Sequence, residues 1–118
     1  MTDERLARRL AELRDFADEA AFVVSHGREN FVAATRDGAL LRNAAGHVLV
    51  KIATVAERLP GDYRAAHPLI DWRKITLMHD LVTHHDDKVN DDLVFSTLAV
   101  DIPQFLDNLD VDPEPPAR

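Results

Sequence analysis

The stretch DWRKITLMHDLVTHHDD, residues 71–87, decides the fold, because it reads as one amphipathic helix. Asp71 is a good N-cap for a helix that opens at Trp72 and runs to about Asp87. At about 100° per residue, His79, Thr83 and Asp86 stack along one line and Asp80, His84 and Asp87 along the next. Ile75, Leu77, Met78, Leu81, Val82 and Val89 take the opposite arc, which belongs to a core or an interface. His85 falls in that apolar arc and is expected to be a core or interface residue. Three of the chain's six histidines therefore share eight residues with two carboxylates. Any chemistry this protein performs is expected there.

Upstream, Leu6, Leu10, Leu13, Phe16 or Ala17, Ala20 and Val24 recur at helical spacing, with Asp3 and Glu4 at the start and Gly27 at the end. This predicts a long first helix over residues 3–25. A short segment over Asn30 to Thr35 leads to Asp37-Gly38. From there Ala39 to Leu59 predicts a second long helix, bent at Gly46 and stopped by Pro60-Gly61. Residues 61–70 read as a loop. Downstream, Asn90 or Asp91 caps a last helix in which Pro103 should produce a kink. No run alternates with period two. The expected fold is an all-α antiparallel bundle of four to five helices over residues 1–110, followed by a disordered, proline-rich tail at 111–118.

A single domain of this length buries one core without staples. The chain contains no cysteine, which excludes disulfides and thiolate metal sites, and no signal segment opens it. A reducing cytoplasm is its expected compartment. No apolar stretch is long enough for a membrane span. Acidic residues number 21 against 14 basic, for a net charge of −7. That balance disfavours a free-standing nucleic-acid binder and leaves room for a local basic groove.

From Ala56 onward the landmarks are Glu57-Arg58-Leu59-Pro60, His67-Pro68-Leu69-Ile70-Asp71-Trp72-Arg73-Lys74-Ile75, Met78-His79-Asp80-Leu81-Val82-Thr83-His84, Asp92-Leu93-Val94-Phe95 and Asp101-Ile102-Pro103. In this order they resemble the HepT-like branch of the HEPN superfamily. Members of that branch carry an RLP helix end, a P-x-I-P-W-R-x-I helix start, an active helix M-R-[ND]-x-L-x-H-x-Y and a final helix with D-L-P. The blocks follow in register over more than half the chain, and the first helix matches only in pattern.

The resemblance implies a homodimer whose paired active helices form an RNA-cutting cleft, in a ribonuclease toxin paired with a nucleotidyltransferase antitoxin. In such proteins the arginine and histidine of R-x4-H act on the scissile phosphate without metal or other cofactor. The tyrosine two residues past the histidine is the position the antitoxin modifies. Carried over, the histidine is His84 and the polar residue after the arginine slot is Asp80. The arginine slot itself holds His79, the tyrosine slot holds Asp86, and a further basic slot in the second helix is His47. A mostly neutral imidazole replaces a permanent, bidentate cation, so transition-state stabilisation is expected to weaken. Asp86 adds an anion and removes the modifiable hydroxyl.

Three readings follow. In the first, a weakened or inactive ribonuclease acts on RNA such as tRNA, with His84 as general base, His79 as acid, Asp80 beside them, and Arg73, Lys74 and Thr83 as substrate contacts. Against it stands a solvated polar face with local ion pairs, in a catalytically dead dimerisation or binding module for a nucleotidyltransferase-like partner. In the third, Asp80, His84 and Asp87, at i, i+4 and i+7 with His79 adjacent, hold a transition metal. His47 is expected inside the bundle or its dimer contact with a backbone partner. Trp72, Phe95 and Phe105 are expected to pack, not to stack on bases.

Overall fold

A computed structural model describes residues 3–83 and 87–110, and every element among them is helical. The expected tail at 111–118 lies outside the described residues. Helix α1 spans Asp3–Val24. It ends where Gly27 takes a φ of 87°, a left-handed conformation that glycine reaches without steric cost. The Gly27 amide donates to the carbonyl of Val24 at 2.9 Å, which closes the turn.

The segment after it is a short helix, α2, over Arg28–Val32, where the sequence gives no helical period. Helix α3 follows over Arg36–Glu57. Its N-cap is Thr35, whose hydroxyl accepts from the Gly38 amide at 3.0 Å, so the helix starts three residues before the Ala39 that periodicity marks. It runs as one helix through Gly46, with no break there. The missing side chain serves close packing, since a Cβ at Gly46 would meet the Val82 side chain at 3.3 Å. The loop expected over 61–70 contains helix α4, Gly61–Ala65.

Helix α3 is the centre of the molecule. It packs against α1, α2, the 71–83 region and the helix over Asp87–Ser96, and accordingly buries Ala45, Val48, Leu49, Ile52, Ala53, Val55 and Ala56 over more than one arc. Ala17 and Ala20 of α1 are buried and small enough to let the α1 and α3 backbones approach. Leu13, Phe31, Leu49, Ile52, Leu98 and Ile102 are almost fully enclosed, each contributing on the order of 1.5–3 kcal/mol of hydrophobic stabilisation.

The last helix begins earlier than expected. Helix α7 spans Asp87–Ser96, so Asn90 and Asp91 lie within it and do not cap it. A π turn over Thr97–Asp101 joins it to α8, Ile102–Leu109. Proline at 103 has no N–H and its ring clashes with the carbonyl four residues back, which blocks regular α geometry. The irregularity expected from Pro103 thus takes the form of a widened turn just before it.

Candidate functional site

Asp71 caps as expected, its carboxylate accepting from the Lys74 amide at 3.1 Å. The helix it starts is not continuous. Helix α5 covers Trp72–Thr76, a 3-10 turn covers Leu77–His79, and α6 covers Asp80–Thr83. A 3-10 turn advances about 120° per residue, so the arcs drawn for an ideal helix shift midway. Ile75 and Met78 are buried, whereas Leu77, assigned to the apolar arc, is 44 % exposed.

The corner before α5 is fastened by side chains. The Trp72 indole donates to the carbonyls of Arg64 at 2.9 Å and His67 at 3.2 Å, and its ring meets Phe105 edge-on at 5.9 Å. His67 is buried, stacked on Tyr63 at 4.2 Å, with Nδ1 at 2.9 Å from the Tyr63 carbonyl. The HPLIDW block is therefore a rigid hinge that aims α5. Packing is the role of Trp72, and Phe95 and Phe105 are buried core residues.

His79 stands at the end of the 3-10 turn. Its Nδ1 lies 2.8 Å from the carbonyl of Thr76, and its Nε2 lies 3.0 Å from Oδ1 of Asp80. Both ring nitrogens face oxygen acceptors. The ring is thus held from both sides, half-exposed, at the position where the resemblance places arginine, with the Thr76 carbonyl and Asp80 fixing its orientation.

The other expected residues are placed as follows. Arg73 and Lys74 are exposed on α5, with the Lys74 ammonium 3.4 Å from Asp101 across a groove of about 470 Å³. Leu77, Met78, Leu81 and Leu93 give that groove an apolar floor. His84, His85 and Asp86 lie outside the described residues, as do the side chains of Thr83 and Asp87. The suggested metal set of Asp80, His84 and Asp87 falls partly there too.

For His47 the expected place inside the bundle with a backbone partner is corrected, and the expected dimer contact stays a proposal. The side chain is exposed, not inside the bundle, because its position on α3 points between α1 and α6, and among the described residues it has no hydrogen-bond partner. It sits on the lip of a second hollow of about 410 Å³, with Arg42, Asn43, Asp91 and Val82 also in its wall. Neither hollow takes in His79 or Asp80.

Arg42 is a residue that periodicity passes over. Its guanidinium donates to the carbonyls of Phe31 and Ala33, both at 2.8 Å, and lies 3.9 Å from Asp91. It ties the α2–α3 corner to α7, which carries the chain away from the active segment. The available signal was a charged residue on the stripe Gly38, Arg42, Ala45, Leu49, otherwise small or apolar. Arg28 makes a second tie to α7, bonding Asp92 at 2.7 Å and lying over the Phe95 ring at 4.8 Å.

Among the described residues no helix is long and apolar enough to cross a membrane. Searches of curated proteins and of solved structures return no match. A family model described as Ribonuclease HepT-like matches residues 5–111, which takes in every block from Glu57 to Pro103 and the helices before them, and the chain belongs to the HepT-like family.

Proposed function

We propose that this protein is a metal-independent endoribonuclease of the HepT type, working more slowly than relatives that keep the arginine. Its substrate is RNA, with tRNA the first to test, and its locus pairs it with a nucleotidyltransferase antitoxin. The observation that carries this reading is the bracketing of His79 by the Thr76 carbonyl and Asp80. The arginine slot has lost its fork but keeps a ring with two polar nitrogens in a fixed orientation.

In this reading His84 takes the proton from the ribose 2′-hydroxyl, whose oxygen attacks phosphorus to form a 2′,3′-cyclic phosphate as the P–O5′ bond breaks, and His79, its Nε2 exchanged from Asp80 to the substrate, protonates the leaving 5′-oxygen. Asp80 is a positioning residue for that ring. The two histidines are five residues apart along the chain, so one phosphate meets both only across a groove or between subunits. A homodimer paired through the active helices supplies that cleft, and Arg73 and Lys74 at the start of α5 steer the backbone phosphates.

The test is incubation of the purified full chain with tRNA in the presence of EDTA. Slow cleavage insensitive to the chelator is expected, falling on the order of 10²–10⁴-fold in His84→Ala and rising in His79→Arg. Equal cutting by wild type and His84→Ala rejects the assignment. A second reading, a binding module for the nucleotidyltransferase that no longer cuts, is favoured by Asp86 in the tyrosine slot. It predicts no cleavage by any of the three proteins and undiminished partner binding by His84→Ala.

A further inference from the structure

The hollow of about 410 Å³ between α3, α6 and α7 falls within the size range of pockets that hold small planar ligands. Its two sides differ in character. Leu81, Val82 and Val94 make one side apolar, whereas Arg42, Asn43 and Asp91 make the other polar. Leu81 also lines the groove between α5 and α7, and the residue before it is Asp80, the partner of His79. The hollow therefore adjoins the segment to which the ribonuclease reading assigns the chemistry.

The polar wall is built around a carboxylate. Both hydrogens of the Arg42 Nη1 are spent on backbone, donating to the carbonyls of Phe31 and Ala33 at 2.8 Å. Those bonds fix the guanidinium, and its Nε stays 3.9 Å from Oδ2 of Asp91. That separation stabilises the carboxylate charge yet is too long for a hydrogen bond. With two oxygens and about four lone-pair positions, Asp91, whose side chain is 13 % exposed, retains acceptor capacity toward the hollow. Asn43 stands exposed in the same wall, and among the described residues its amide has no hydrogen-bond partner.

A phosphate does not suit this wall, because Asp91 repels it and the Arg42 Nη1 donors are already taken. A neutral planar ring with two adjacent donors does. Of the four RNA bases, guanine alone carries two adjacent donors, N1–H and N2–H2, on one edge, and they match the two oxygens of a carboxylate. Adenine and cytosine offer a single amino group, and uracil would set its carbonyls against Asp91.

We infer that this hollow binds an unpaired guanine of a bound RNA, with Asp91 accepting from N1–H and N2–H2, Asn43 donating to O6, and the ring packed on Leu81 and Val82. The inference rests on the ribonuclease reading for the RNA that supplies the base. It makes the protein select the neighbourhood of a guanine.

The experiment has two arms. In the first, isotope-labelled full-length protein is titrated with guanosine, inosine, adenosine, cytidine and uridine. Guanosine is expected to shift the amides of Asn43, Gly46, Val82 and Asp91, and inosine, which lacks the 2-amino group, to bind about tenfold more weakly. Asp91→Asn keeps the shape but sets an amide donor against the donors of guanine, so it should abolish the preference for guanosine over inosine. Asn43→Ala, at an exposed position, should weaken guanosine roughly fivefold, and it carries the test alone if Asp91→Asn fails to fold. In the second arm, His84→Ala protein binds unpaired oligouridylates with one central guanosine or inosine, and the guanosine strand should bind about tenfold more tightly. Equal binding of the two nucleosides, shifts centred elsewhere or no shifts overturn the inference. Guanosine binding in the hollow with equal affinity for the two strands assigns it to a free nucleoside and overturns the inference as well. Neither arm reads cleavage, so a protein that prefers guanine in both arms and never cuts refutes the ribonuclease reading and leaves this one standing.

Discussion

Glycine 38 is the residue on which the α2–α3 corner turns. In sequence, Asp37-Gly38 reads as a turn before a helix, but Gly38 is buried inside the first turn of α3. A Cβ there would collide with the Ala33 carbonyl and come within 2.9 Å of both the Asn30 carbonyl and the Arg42 guanidinium. Two of those neighbours are backbone and cannot swing aside. Gly38→Ala should cost about 1–3 kcal/mol by overpacking and also disturb Arg42. Gly61, by contrast, starts α4 with open space around its Cα, so Gly61→Ala should be neutral or stabilise by about 0.4–1 kcal/mol through the unfolded chain. Urea midpoints of the two variants measure the contrast, and equal shifts would contradict it. Asp71 was legible as a cap because its signal is local. Gly38 was not, since its burial depends on chain that folds back over it.

Among elements, the long helices α1 and α3 follow from hydrophobic spacing alone, because each packs one broad face over many turns. The helix bearing the histidine cluster does not. Its 3-10 turn at Leu77–His79 arises where tertiary contacts override an even period, whereas the π turn at Thr97–Asp101 is the irregularity that Pro103 announces in the sequence. The 3-10 shift turns His79 toward its own Thr76 carbonyl and pushes Leu77 outward, neither of which an ideal wheel shows. The corner that aims α5 carries its own prediction. Burial pushes the Tyr63 hydroxyl above its ordinary value of 10.0, with Arg14 opposing and Asp110 adding to the rise. The folded state therefore holds the phenolic proton more tightly than the unfolded chain, and the resulting stability is complete below the unfolded value. It is lost as pH climbs through the higher folded one. Tyr63→Phe should flatten the alkaline fall in stability, seen as a smaller loss of urea midpoint between about pH 9 and pH 11 than wild type shows. An unchanged slope would place that loss elsewhere.

At the scale of the whole molecule, the α5–α7 groove is an apolar surface left open among the described residues. It has both signs at its rim, with Arg73 and Lys74 beside Asp71 and Asp101. A rim of mixed sign can face its own two-fold copy, cation against carboxylate, as an isologous contact demands. Leu77 and Leu93, 44 % and 48 % exposed, stand at its edges, with Leu81 and Met78 between them. Pairing there would bring the two copies of His79 and Asp80, which line neither the α5–α7 groove nor the hollow beside Arg42, toward a shared cleft. Leu77→Asp should then weaken self-association about tenfold or more, because it sets an unpaired carboxylate against an apolar contact, and abolish any RNA cleavage with it. Phe22→Ser, which removes a side chain 68 % exposed on α1, away from that groove, should leave assembly intact. Sedimentation equilibrium on both variants decides the matter: a Leu77→Asp protein with the mass of the wild type would remove the cleft and, with it, the reason for placing His84 and His79 on one phosphate.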